Sequence, residues 1–363
     1  MNRSFLGLLI LTIVAGGALL YSQFDLSALT RSVDRRTPID VSIFYGGEKS
    51  ELLRDPDVIR ILEDRHKITL NATKAGSIEM VTTLPVAGRD CLWPSNMVAV
   101  ELARQSGRTV LADETIFNSP VVFYAWADVA DALVTNGVVT KRNDGFLTAD
   151  VGRIGELINE GARWKEDLGL EIYGPFKIFS TNPAKSNSGN IWAGLLATIL
   201  NEGTPPTVSD LPTVLPDLGR YFDAMGHMEA SSGDIFQNFL KQGMGARPMI
   251  VGYENQMVEF LAENAQLADD ISARVRVIYP EPTVFASHPL ISLTESCQRL
   301  SDALVDPELQ EIAWSKHGFR TGLIGVENDP ADIGVTTLPE TVNLVVPMPS
   351  ASVMERIVEV VRK

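Results

Sequence analysis

The stretch Phe179-Ser-Thr-Asn-Pro-Ala-Lys-Ser-Asn-Ser-Gly-Asn-Ile-Trp-Ala-Gly-Leu-Leu-Ala-Thr-Ile-Leu200 changes chemistry midway, and the rest of the chain is read outward from it. It opens as the end of a strand, passes through a polar loop and becomes a helix, because Ile191, Leu195, Leu196, Ile199 and Leu200 recur at helical spacing. Ser186, Asn187 and Ser188 are all N-cap residue types, and Gly189 lets a bound group approach the backbone. A hydroxyl-rich helix start at a strand's carboxyl end can hold a small polar or anionic solute. The free N–H groups and the positive end of the helix dipole do the holding, so no catalytic side chain is needed. The same residues also describe an ordinary capped helix, so the stretch needs support from elsewhere in the chain.

That support lies upstream. From Pro38 the chain alternates strand and helix patterns, the signature of a layered α/β fold with a mainly parallel sheet. Ile39 to Tyr45 reads as a strand ended by Gly46-Gly47-Glu48-Lys49-Ser50, and Ile68 to Thr73 as a strand followed by Gly76-Ser77-Ile78-Glu79. Asp90-Cys-Leu-Trp-Pro-Ser-Asn96 repeats the pattern before the helical run Met97 to Arg104. Three strands thus end in small or hydroxyl residues at a helix start, and in open α/β sheets such ends face one crevice. The β-prone run Phe117 to Trp126 carries Pro120, which removes a ladder hydrogen bond and predicts an edge strand or a crossover between domains. Further strands are predicted at 176–180, 248–253 and 275–279, and helices at 219–241, 257–264, 294–304, 308–315 and 352–361.

Length and charge bound the function. The 363 residues suffice for two domains, and a net charge of −15 without a Lys/Arg cluster argues against a nucleic-acid partner. The apolar run Phe5 to Leu20 reads as a secretory signal or a retained membrane anchor, with both readings open. Cys91 and Cys297 are too few for a disulfide framework or a zinc site. Two buried free thiols is the preferred reading, and one long-range disulfide the other.

From Val41 onward the chain resembles the bacterial extracellular solute-binding proteins of ABC-type transport, in the two-lobed group that includes molybdate and sulfate binders. The resemblance rests on the order and spacing of Gly76-Ser77-Ile78-Glu79, Trp93-Pro94-Ser95-Asn96, Ser119-Pro120-Val121-Val122, Ser186-Asn187-Ser188-Gly189, Tyr253-Glu254, Tyr279-Pro280-Glu281-Pro282-Thr283 and His317-Gly318-Phe319-Arg320. It implies an α/β, periplasmic-binding-protein-like (type 2) fold: two lobes joined by crossover segments around a central cleft. The implied organisation is a signal peptide or anchor at 1–24, a linker at 25–37, a discontinuous first lobe at 38–120 plus 280–363, and a second lobe at 121–279. Ligand contacts of the oxyanion binders do not transfer residue by residue, so the resemblance leaves the solute unnamed.

The candidate ligand-binding residues are Gly47, Lys49, Ser77, Glu79, Ser95, Asn96, Ser119, Ser186, Asn187, Ser188, Tyr253 and Glu254. Lys49 would neutralise an anion, Glu79 and Glu254 would suit an amine or a metal cation, and Tyr253 and Trp93 would form cleft walls. The bland alternatives are helix caps, solvated charges and core aromatics. No catalytic residue, metal site or cofactor is expected: the four histidines are scattered, and neither cysteine lies in a nucleophile signature. The expectation is an extracytoplasmic, periplasmic monomer that captures a small polar solute, anions included, for an ABC transporter permease, touching the membrane only through residues 5–22. The rival is a membrane-tethered sensor or scaffold that keeps the fold and signals to a partner protein.

Overall fold

The computed structural model describes residues 37–323, 328–333 and 338–362. The expected signal or anchor, and all of the linker except Thr37, lie outside the described residues. Among the described residues no helix is long and apolar enough to cross a membrane.

Among the described residues ten strands form one continuous sheet: β1 (Ile39–Tyr45), β2 (Ile68–Lys74), β3 (Cys91–Trp93), β4 (Ala112–Trp126), β5 (Val139–Lys141), β6 (Leu147–Asp150), β7 (Met249–Tyr253), β8 (Val275–Glu281), β9 (Phe285–Ser292) and β10 (Arg320–Thr321). The order is β2-β1-β3-β9-β4-β8-β6-β5, with β10 and β7 also on β4. Only β1–β2, β1–β3 and β6–β8 are parallel. The expectation of a mainly parallel sheet is therefore corrected to a mixed one. The cause is the long pair at the centre: β4 and β9 run past each other antiparallel, and β3, β7, β8 and β10 attach to them antiparallel as well.

β4 is the element that joins the molecule. Residues 112–120 pair with β9, whereas residues 121–126 pair with β7 and β8. The change of partners falls at Pro120, which has no N–H for a central ladder. The crossover reading of the proline run holds and the edge-strand reading does not.

Around the sheet lie the helices that carry strand-end loops. The first, α1 (Pro56–Arg60), begins at Asp55, whose carboxylate accepts from the Asp57 N–H at 2.7 Å. It is followed by α2 (Glu79–Thr82), then by α3 (Met97–Gln105), capped by the Asn96 amide oxygen accepting from Ala99 N–H at 2.9 Å. Next come α4 (Ala127–Thr135), α5 (Val151–Asn159), α6 (Asn187–Leu200), α7 (Leu211–Asp223), α8 (Ser232–Gln242) and α9 (Glu254–Glu263). Then follow α10 (Ala268–Arg274), α11 (Glu295–Leu304), α12 (Pro307–Ser315) and α13 (Ala351–Val361). Apolar on nearly every side, α6 is the buried axis of its half, and only Leu200 is not fully covered.

Three local expectations fail for identifiable reasons. Residues 176–180 form no regular strand but one bridge, Phe179 to Ile250, because the Tyr221 hydroxyl takes both backbone groups of Ile178 (3.1 and 2.8 Å). The predicted helix 219–241 is two helices, broken before the Ser231 cap. Cys91 and Cys297 are not free thiols: they form a disulfide that ties β3 to α11 across 206 residues. Both cysteines are buried in a cluster with Ile43, Leu52, Leu290 and Leu300, where the sheet brings them together.

Candidate functional site

A cavity of about 910 Å³ opens where the loops after β1 and β2 face the starts of α6 and α8 and one side of α9. Of the sequence candidates, Gly47, Ser77, Glu79, Ser186 and Asn187 line it. Lys185, Lys74, Ser231, Gln256 and Glu259 line it too, as does Glu48, which the sequence reading passed over. Ser231 was hidden by the reading of one long helix, although Ser231-Ser232-Gly233-Asp234 has the composition of a helix start. Glu48 carried no such signal. Its position in a Gly-Gly-Glu-Lys-Ser loop is that of a solvated charge.

The cavity floor is a buried polar cluster. Lys49 is fully buried, and its ammonium is ion-paired with Glu48, donates to Ser95 Oγ at 3.1 Å and approaches His288 Nδ1 at 3.1 Å. Ser95 Oγ also donates to Glu48 Oε1, while Ser95 N–H donates to Ser77 Oγ at 3.0 Å. Burial by itself raises the Glu48 pKa, but the Lys49 ammonium and His288 outweigh it and hold the carboxyl well below the usual range. The same burial, reinforced by the Lys49 charge, pushes His288 down to about 4, so the imidazole is neutral at pH 7. Lys49 is thus a counter-ion beneath the cavity and not a charge presented to it.

Asn187 joins the two halves of the sheet. Its side-chain amide donates to Ser95 O at 2.9 Å and to Tyr253 Oη at 3.0 Å, and its oxygen accepts from Asn96 Nδ2. Asn96 spends its own oxygen on the α3 cap, so neither amide is free of structural work. Burial pushes the Tyr253 phenol well above its usual range and keeps it neutral. Ser186 occupies the N-cap position of α6 without capping it: its hydroxyl meets Ser188 Oγ at 3.1 Å. Ser188 is buried against Thr181 Oγ1 at 2.8 Å and does not line the cavity. Gly189 makes room for the Thr181 backbone and not for a bound group, since a Cβ there would collide with the Thr181 carbonyl.

Besides Lys49, Ser95, Asn96, Ser188 and Tyr253, the candidates Ser119 and Glu254 also lie outside the cavity lining. Ser119 is buried against the Asn255 amide at 3.1 Å. Glu254 is held by Arg320 through two bonds, 2.7 and 2.9 Å, and by the Tyr279 hydroxyl at 2.5 Å. Trp93 stacks on Phe117 in the core, 5.8 Å between ring centres. His317, just past the end of α12, bridges Glu259 of α9 at 2.8 Å and Asp55 at the start of α1 at 3.2 Å. It is a second link between the halves, beside the cavity wall.

No family model matches the chain, and no curated protein matches it. Solved structures do. Iron-bound HitA from Pseudomonas aeruginosa superposes with a TM-score of 0.59 at 12% identity, covering 89% of this chain and 99% of that one. A ferric binding protein from Campylobacter jejuni gives 0.55 at 12% identity over 88% and 98%. The sulfate-binding protein SubI from Mycobacterium tuberculosis gives 0.50 at 13% identity over 83% and 92%. At these identities the likeness is one of fold: the chain has the α/β two-lobed fold of periplasmic binding proteins, with the lobes joined by crossover segments around a cleft.

Proposed function

We propose that the chain is a solute-binding protein that captures a small polar ligand between two lobes and delivers it to an ABC-type permease outside the cytoplasm. The observation that carries this reading is the placement of the cavity. Its walls come from strand-end loops on both sides of the β4 crossover, so a solute there touches both halves at once and rewards their closure. Its volume falls in the range of about 300–1,000 Å³ usual for small-molecule sites. The lobes divide at Pro120–Val121 and near Pro280, giving 38–120 plus 280–363 and 121–279, and the residues that meet the ligand are drawn from Gly47, Ser77, Glu79 and Ser186. Binding and closure need no bond-making chemistry, which agrees with a transport role and not with turnover.

The test is a solute screen on the purified protein by thermal shift, followed by small-angle scattering. A true ligand raises the melting temperature by mass action, by the equivalent of about 2.7 kcal/mol at a hundredfold excess over Kd. It also lowers the radius of gyration as the lobes close. If no ion, amine, amino acid or sugar in a broad panel moves either quantity, solute capture is wrong.

A further inference from the structure

Glu48 deepens the capture reading and rests on it. Its side chain is only 6% exposed, yet it lines the cavity. Lys49, Ser95 and His288 all gather on the same oxygen, Oε1. Oε2 has no hydrogen-bond partner among the described residues. Oε2 is not among the side-chain atoms sealed off from both partner and solvent; it faces the cavity, where water fills its lone pairs until a ligand's donor displaces it. At Oε2 the floor offers an acceptor that cannot donate, so an oxyanion placed against that oxygen would find no hydrogen-bond donor there.

The rest of the lining has the same sign. Glu51, Glu79, Asp234, Glu259 and Glu263 join Glu48 around the cavity, against Arg54, Lys74 and Lys185. Arg54 is taken by Glu51 at 2.7 Å, and Glu259 by His317. Glu79, Asp234 and Glu263 have no side-chain partner among the described residues, and Lys74 and Lys185 are likewise unpaired. The opposing pull comes from these two exposed lysines and from the uncapped start of α6. Lys49 already neutralises Glu48, so the rim decides the sign: three unpaired carboxylates, Glu79, Asp234 and Glu263, stand against two lysines and a helix end equivalent to about half a charge, which leaves a small negative excess.

We propose that the cleft selects a solute carrying a positively charged N–H donor, an alkylammonium or a guanidinium, and that Glu48 Oε2 is the acceptor that selects it. The carboxylate binds one donor while Oε1 stays anchored to Lys49 and Ser95, so the ligand's charge replaces water on an oxygen already held in place. A metal ion fits less well, since no three His, Cys, Asp or Glu side chains among the described residues converge to hold one.

The experiment compares agmatine, spermidine and L-arginine with sulfate, molybdate and glucose, by thermal shift and titration calorimetry on the unmodified chain. At least one of the three amines should raise the melting temperature and the two oxyanions should not. Glu48→Gln should then weaken that amine's binding at least tenfold. Because Lys49 would lose its counter-charge in this variant, Glu79→Gln at the exposed rim serves as the second, with an expected loss of two- to fivefold. Stabilisation by sulfate, molybdate or glucose with none from the amines overturns the ligand class and leaves solute capture standing. Amine binding unchanged in a folded Glu48→Gln protein overturns the role of Glu48, and silence from all six probes counts against capture itself.

Discussion

Glu48 and Glu254 are both buried carboxylates at the end of a strand, and what separates them is where their lone pairs go. Glu254 is fully engaged: Arg320 spans both its oxygens, the Tyr279 hydroxyl adds a third bond, and Arg320 continues to the carbonyls of Pro339 and Glu340. It fastens the C-terminal segment to α9 and has nothing left for a ligand. Removing one member of such a buried pair strands the other. Arg320→Met should therefore lower the unfolding free energy by about 3–5 kcal/mol in urea titration, and adding Glu254→Gln to it should recover a large part of that loss. A double variant no more stable than Arg320→Met would show that the carboxylate's charge is not what the arginine offsets.

At the scale of elements, the cross-link between β3 and α11 has no local cause. Cys91 lies in a three-residue strand and Cys297 in an amphipathic helix, and only the sheet order β1-β3-β9 brings the two together. Closing a loop of that length restricts the unfolded chain by about 5 kcal/mol in the entropic account. Reducing the protein, or replacing both cysteines with alanine, should lower the denaturation midpoint correspondingly. A midpoint that does not move with reductant would mean the thiols are unpaired in solution. Helix starts behave differently, since Asp55, Asn96 and Ser231 each cap their own helix through contacts two or three residues away.

At the scale of the whole molecule, α13 is a strap. Its apolar face, with Val353, Met354 and Ile357, packs on α6 and α7 of one half and on α3 of the other. The Ala351 N–H donates to Glu101 of α3 at 2.9 Å, while Met354 closes on Gly194 of α6. Motion of the halves must therefore bend or slide this helix as well as the β4 crossover. Ile357→Ala, at a fully buried position, should cost about 2–5 kcal/mol. Amide exchange should then quicken in both α3 and α6. Faster exchange confined to α6 would mean that α13 belongs to one half alone.

Periodicity and cap chemistry are short-range, and these the sequence by itself determined: the strands at 39–45 and 68–73, the helices of the first half, the helix Asn187–Leu200 and a break in strand pairing at Pro120 all follow from residues within a few positions of one another, whereas the choice of a crossover over an edge at Pro120 was made by its distant partners. Several cavity residues, Gly47, Ser77, Glu79, Ser186 and Asn187, were legible for the same reason. Other features depend on partners far apart in the chain, and only the tertiary structure decided them. Tyr221 withdraws Ile178 from the sheet, Thr181 fills the space beside Gly189, Arg320 closes off Glu254, and Lys49 turns inward to hold Glu48 at the floor of the cleft. A side chain's residual hydrogen-bonding capacity is what remains after every neighbour has been satisfied, and those neighbours are chosen by packing across the whole chain.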